Sequence, residues 1–191
     1  MPEPARMRKC RHFFGADLGI YTVAAAPNCF VRGGKGPKMT VHENVPTNIN
    51  DIIRAHIKQY LTEPEKAHLW DATPVGMPKI VTTLLLTTIG RKSGEARHVP
   101  LLYVADGDDY LVMGSKGGYE SDPLWFKNLQ ANPDCEIRVS TLHTKAHANI
   151  LSSEERAKVW PKITALHENY AKYQEIAPRE IPVVRLVALV A

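Results

Sequence analysis

The chain has 191 residues, 44% of them hydrophobic and 23% charged, with a formal net charge of +4. That length supports one domain with a full apolar core, and the composition is that of a soluble globular fold, since no stretch approaches the ~20 unbroken apolar residues of a membrane span. The small positive excess suits an anionic small ligand or a membrane surface and is too weak to argue for nucleic acid. Three cysteines (Cys10, Cys29 and Cys135), without metal-type spacing, point to a reducing, cytoplasmic compartment.

Residues 1–44 carry basic clusters, "RMRKCRHFF" and "RGGKGPK", and no sustained periodicity. They are expected to be a disordered tail, or the first 38 of them to precede a true start at Met39. A signal peptide fits poorly, because Asp17 and its neighbouring glycines interrupt the apolar region. The folded domain is expected at 45–191. It opens with an amphipathic helix: Ile49, Ile52, Ile53, Ile57, Tyr60 and Leu61 recur at helical spacing opposite Asp51, Arg54, Lys58 and Gln59, and Asn48 or Asn50 can cap it. Packing on a core explains that face best. Contact with a lipid surface is the alternative, weakened by Asp51.

"TPVGMPK" (73–79) breaks the chain, and strands follow. "IVTTLLLTTI" reads as a strand buried on both faces. "HVPLLYVADG" and "YLVMGSKGG" are joined through the turn "DGDD". "SDPLWFKNLQANP" is a short helix capped by Ser121 or Asp122 and stopped at Asn132-Pro133. "CEIRVSTLHTKAHANIL" is a hairpin. "SSEERAKVWPKITALHENYAKYQE" is a long helix opened by a capping box, Ser152 to Glu155, and kinked or divided at Pro161. "IPVVRLVALV" closes as a strand. Antiparallel-looking strands with inserted helices define an α+β barrel or sheet.

Between two of these strands lies "GRKSGEAR", residues 90–97. A hairpin needs glycine or asparagine for its backbone; it does not need Arg91, Lys92 and Arg97 together. Backbone N–H groups in such a turn form an anion-binding concavity, Ser93 adds a donor, and the bases supply charge. A solvated basic turn is the competing explanation. In "GSKGG", Gly114, Gly117 and Gly118 permit close approach of a flat ligand between Ser115 and Lys116, or simply end a strand. His167, Tyr170 and Tyr173 fall on adjacent helical turns, where a tyrosine lining a pocket can polarise or protonate a substrate oxygen. His143 and His147 have zinc-like spacing without the protease glutamate and in strand-like sequence, so no metal site is expected. Cys135, Ser93 and Ser115 lack a nucleophile's context.

Taken in order, "LLLTTIGRKSGEARHVPLLYVADGDDYLVMGSKGG", "DPLWFKNLQANP", "SSEERAKVWP" and "YAKYQ" with "REIPVV" resemble the deazaflavin-dependent nitroreductases, also described as F420-dependent quinone reductases, over roughly residues 68–187. The resemblance implies a split β-barrel like that of the FMN-binding pyridoxamine-phosphate oxidases, mostly antiparallel, and coenzyme F420 with its anionic tail. It implies that Arg91, Lys92, Ser93 and Arg97 bind the tail phosphate, and that Ser115, Lys116, Gly117 and Gly118 run along the deazaflavin ring beside Trp125. It places Tyr170 and Tyr173, with Ser115, on the substrate side, where hydride passes to a quinone or nitroaromatic acceptor. His167 stands where this branch can carry another tyrosine. The rival readings are an FMN-dependent barrel oxidoreductase and a non-catalytic flavin- or haem-binding barrel. Peripheral contact with the inner face of the plasma membrane and the oligomeric state are left open.

Overall fold

The computed structural model describes residues 49–75, 77 and 79–189, together with two short strands, β1 (Phe30–Val31) and β2 (Lys38–Met39), that pair antiparallel. The rest of the expected tail, and Asn48 as a helix cap, lie outside the described residues. Then follow α1 (Ile49–Thr62), α2 (Pro64–His68), β3 (Leu69–Asp71), β4 (Ile80–Ile89), β5 (Ala96–Asp106), β6 (Asp109–Met113), α3 (Leu124–Ala131), β7 (Asp134–Val139), β8 (Leu142–Ile150), α4 (Ser153–Leu166), α5 (Asn169–Ile176) and β9 (Val183–Ala188). Strand order β4-β5-β6-β9-β8-β7, with β7 returning to β4, closes a six-stranded antiparallel barrel. β3 extends the edge of β4 through Ile80–Thr82, next to the Leu85–Thr87 stretch that pairs with β7. The molecule is an α+β split barrel.

The side-chain alternation of each strand sorts residues between the interior and the outer face. Leu84 and Leu86 of β4 point inward with Val112, Ile137, Val184 and Leu186, and Trp125, Phe126 and Leu129 of α3 plug that interior. Leu85 points outward and is covered by Tyr60 of α1 and Ala67 of α2. Val104, Leu111, Met113 and Val183 form a second outer patch beneath Ile163 of α4 and Tyr170 of α5. Each such side chain taken fully out of water contributes about 2 kcal/mol, and β4 gives Leu84 and Leu86 to the interior cluster and Leu85 to the one under α1 and α2, which explains its central apolar run. Both of its faces are covered.

The capping box forms as expected: Ser152 Oγ accepts from the Glu155 N–H, and the Ser152 N–H donates to the Glu155 carboxylate. One local expectation fails, and the division of the long helix expected at Pro161 falls elsewhere. Pro161 lies inside α4 without dividing it. The proline is exposed, so the carbonyl that loses its helical partner faces water. The helix ends instead at His167, whose non-helical backbone (φ −139°, ψ 80°) separates α4 from α5. Neither Ser121 nor Asp122 caps α3; Pro123 holds the cap position, and Asp122 pairs with Arg179 at 2.8 Å. Among the described residues no helix is long and apolar enough to cross a membrane.

Beneath α1 lies a polar network that fixes the helix to β4. The Tyr60 hydroxyl donates to the Thr83 carbonyl, His56 Nε2 donates to the Ala67 carbonyl at 2.9 Å, and Thr83 Oγ1 donates to the same oxygen at 3.0 Å. Burial holds the His56 pKa below its ordinary value, only partly offset by the Ala67 carbonyl. Below about pH 6.5 the unfolded chain therefore binds more protons than the folded one, and stability falls as pH falls. The urea midpoint should drop between pH 7 and 5, and the drop should shrink in His56→Gln. Equal slopes in both proteins would remove His56 from the account.

Candidate functional site

The basic turn is built by the backbone. Gly90 N–H donates to the Glu95 carbonyl and Gly94 N–H to the Gly90 carbonyl, both at 2.8 Å. Asn128 on α3, almost wholly buried, reaches up from below: its Oδ1 accepts from the Arg91 backbone N–H (3.3 Å) and guanidinium (3.2 Å), while its Nδ2 donates to Thr88 Oγ1 at 3.1 Å. Arg91 is thus positioned by a neutral amide and keeps its charge uncompensated. Arg97 differs. It pairs with Glu95 at 2.7 Å and donates to Ser93 Oγ, which also accepts from the Glu95 N–H. Three bases against one acid leave the exposed turn doubly positive, with the excess on Arg91 and Lys92. Among the described residues nothing pairs with Lys92.

The segment 114–119 leaves β6 as a tight loop. Lys116, Gly117 and Gly118 take successive positive φ values of 47°, 66° and 82°. A side chain on Gly118 would meet the Tyr173 carbonyl at 3.0 Å, so this glycine lets α5 rest directly on the loop. Lys116 is an L-residue in left-handed backbone and costs energy there. Its ammonium folds back over the Tyr119 ring and onto Ser121 Oγ at 3.1 Å. Arg179 holds the whole loop: its guanidinium donates to the carbonyls of Gly114 (2.8 Å), Ser115 (3.3 Å) and Tyr119 (3.2 Å), with Asp122 as counterion. The Ser115 side chain is buried, and its hydroxyl has no partner among the described residues.

Against α5 opens a cleft of about 630 Å³, lined by Ile80, Thr82, Leu102, His167, Tyr170 and Tyr173 among others. The Tyr170 and Tyr173 rings meet edge-on at 5.9 Å, and those of His167 and Tyr170 at 6.0 Å. Tyr170 is 7% exposed, and its hydroxyl has no hydrogen-bond partner among the described residues. Burial, and secondarily Tyr173, push its pKa well up, so it remains a neutral phenol and a donor at physiological pH.

The pieces form one wall. Thr83 pairs with Leu102 and Tyr103 with Val112, so β6 runs in the same sense as β4 and the loop after Met113 heads toward the end carrying the basic turn. α3 joins the turn through Arg91–Asn128, and α5 joins the loop through Gly118. Thr82 and Gly90 are eight residues apart along β4, roughly 26 Å at the usual strand rise, so a ligand touching both cleft and turn must be elongated.

The structure gathers Tyr170, Tyr173 and His167 in the cleft and sets Ser115, Lys116, Gly117 and Gly118 in the loop beside it. Arg91, Lys92, Ser93 and Arg97 stand at the far turn. Trp125 sits in the barrel interior, edge-on to Phe126 at 6.1 Å. His143 and His147 pair with Glu136 and Asp134 on the β7–β8 ribbon. Arg179 and Asn128 were missed from sequence. Asn128 had one signal, a polar residue on the apolar side of "LWFKNLQ"; Arg179 lay within "REIPVV" with no local sign of its role.

The six-stranded split barrel places the cationic turn and the aromatic cleft within one fold shared with known reductases. The family described as F420H(2)-dependent quinone reductase matches residues 65–188, and the chain belongs to it. An F420H(2)-dependent quinone reductase of Mycobacterium tuberculosis is 38% identical over 113 residues, covering 58% of this chain and 76% of that protein. A solved F420-H2-dependent reductase, FDR-A, is 35% identical and superimposes with a TM-score of 0.51 over 55% of this chain and 92% of its own. A chain solved as a domain-swapped dimer is 30% identical, with a TM-score of 0.53 over 73% of this chain and 99% of its own.

Proposed function

We propose that the protein reduces a quinone at the expense of reduced coenzyme F420. Arg91 and Lys92 hold the cofactor's anionic tail, the Ser115–Gly118 loop borders its ring, and Tyr170 faces the acceptor. The observation that carries this reading is the Tyr170 hydroxyl, a buried donor without a partner beside a cleft large enough for a flat ring system. An elongated ligand, aromatic at one end and anionic at the other, suits the distance between cleft and turn.

When bound, the reduced coenzyme supplies the hydride. The chain's own groups do the rest. Asn128 holds Arg91 in place before the ligand arrives, so little side-chain entropy is lost on binding. Lys92 adds a point charge. Ser93 and Arg97 are engaged with Glu95 and contribute a smaller share. Tyr170 directs its hydroxyl at the acceptor oxygen, where negative charge develops, and stabilises or protonates it; Tyr173 packs against the ring that does so. The buried Ser115 hydroxyl is the second unpaired donor available to this wall. Such a reaction belongs in the cytoplasm, in keeping with Cys135 as a buried free thiol.

The test is turnover of purified protein with reduced F420 and menadione, read as acceptor-dependent oxidation of the coenzyme. Oxidation is expected with F420 and not with reduced FMN. Tight binding without oxidation would make the protein a carrier, and oxidation with FMN alone would reassign the cofactor.

A further inference from the structure

Tyr170 raises a proton problem that its own position does not solve. A phenol buried in an apolar site cannot remain ionised, so a proton it hands to an acceptor has to be replaced at once. The replacement has to come from a group already in the cleft.

His167 lines the same cleft and meets the Tyr170 ring edge-on. Its backbone is fixed on both sides: the N–H donates to the Ile163 carbonyl at 2.9 Å, and the carbonyl accepts from the Tyr170 N–H at 3.1 Å. The residue is therefore tied to the last turn of α4 on one side and the first turn of α5 on the other. One ring nitrogen is engaged by the backbone of Tyr103 on β5. The other has no partner among the described residues, so the ring can gain or lose a proton without losing its anchor. The further ionisable groups around it are Tyr170 and Tyr173 on α5, the exposed Glu168 at the start of α5, and Lys79 on the segment before β4. Histidine is the side chain whose charge ordinarily changes between pH 5 and 8.

We infer that His167 is the proton reservoir of the cleft, re-protonating Tyr170 during reduction of the acceptor. The inference rests on the function proposed above. In balance, the acceptor takes two electrons and one hydrogen as hydride and becomes an anion. The Tyr170 O–H bond breaks to give that anion its proton, and the imidazolium N–H bond of His167 breaks to restore the phenol through a water in the cleft, since the two side chains share no direct hydrogen bond. Water then returns a proton to the imidazole. Burial disfavours the imidazolium in the resting protein, and the negative charge that forms nearby favours it, so the proton is held most firmly at the moment it is needed.

Two measurements test this on the protein loaded with F420. The pH dependence of kcat with menadione is compared between wild type and His167→Gln, and the His167 ring is titrated by NMR in the wild-type complex. The wild-type kcat should be flat below the ring's measured pKa and fall about tenfold per pH unit above it. In His167→Gln, kcat at pH 6 should fall by about tenfold or more and the slope should vanish, while KM for menadione stays within about twofold. Superimposable profiles would overturn the inference, as would a wild-type break more than about one unit from the NMR value. The second comparison uses wild type alone and stands even where the variant folds poorly. Failure here with Tyr170→Phe still inactive removes only His167; failure of acceptor-dependent oxidation in wild type removes the function itself.

Discussion

Replacing Arg91 and Lys92 together by alanine should weaken F420 binding by about two to four decades, if each charge-assisted contact contributes roughly 1.5–3 kcal/mol and the two act independently. The fold should tolerate the change. Both side chains lie on an exposed turn, and Asn128 Oδ1 keeps the Arg91 backbone N–H after the guanidinium is gone, so no buried amide is orphaned. Salt should weaken wild-type binding and affect the double variant less, because fewer charges remain to screen. The control is a deazaflavin fragment without the tail, read by fluorescence titration; its weaker binding should be indifferent to both substitutions. Equal losses for fragment and full coenzyme would mean that the turn shapes the ring pocket. Unchanged affinity for both would leave "GRKSGEAR" as a solvated corner.

Tyr170→Phe should lower kcat by ~100-fold or more and leave F420 affinity within about twofold, because only a hydroxyl aimed at the acceptor is lost. The structure adds a second, opposite expectation. That hydroxyl is buried and has no partner among the described residues, so the folded protein carries its desolvation cost without a compensating bond. The phenylalanine variant should be at least as resistant to urea as wild type. Slower turnover with undiminished stability separates a functional hydroxyl from a structural one. A drop in both would place a structural partner on that oxygen, and an unchanged rate would move the donor to Ser115 or Tyr173.

What the sequence made legible was whatever depends on neighbours in the chain. β4 was readable because burial of both faces selects β-branched and apolar residues, with no charged side chain in the strand. The Ser152–Glu155 box was readable because its partners are three residues apart. The basic turn stood out because its composition exceeds what a turn needs. Pro161 misled because local chemistry disfavours a proline within a helix, whereas exposure of that side of α4 removes most of the cost. The true break at His167 carries no glycine or proline and is set by packing against the barrel. Asp122 was read as a cap because its counterion comes from far along the chain. Arg179 was invisible for the same reason, since it bonds to the Gly114 carbonyl across 65 positions.

The placement of β9 has a consequence for how the protein acquires its shape. That strand enters between β6 and β8, pairing Tyr110–Met113 on one side and Ala146–Ile150 on the other, although it follows both in the chain. During synthesis β4, β5 and β6 can form a meander, and β7 and β8 a hairpin, but the two halves share no ladder across that gap until β9 leaves the ribosome. Arg179 emerges only shortly before it, so the left-handed loop acquires its clamp at about the same time. Contacts this distant in sequence slow the search for the native state and keep strand edges open while it lasts. The barrel and its ligand-binding wall are therefore completed in one late, cooperative event, and a nascent chain should not capture coenzyme before that event.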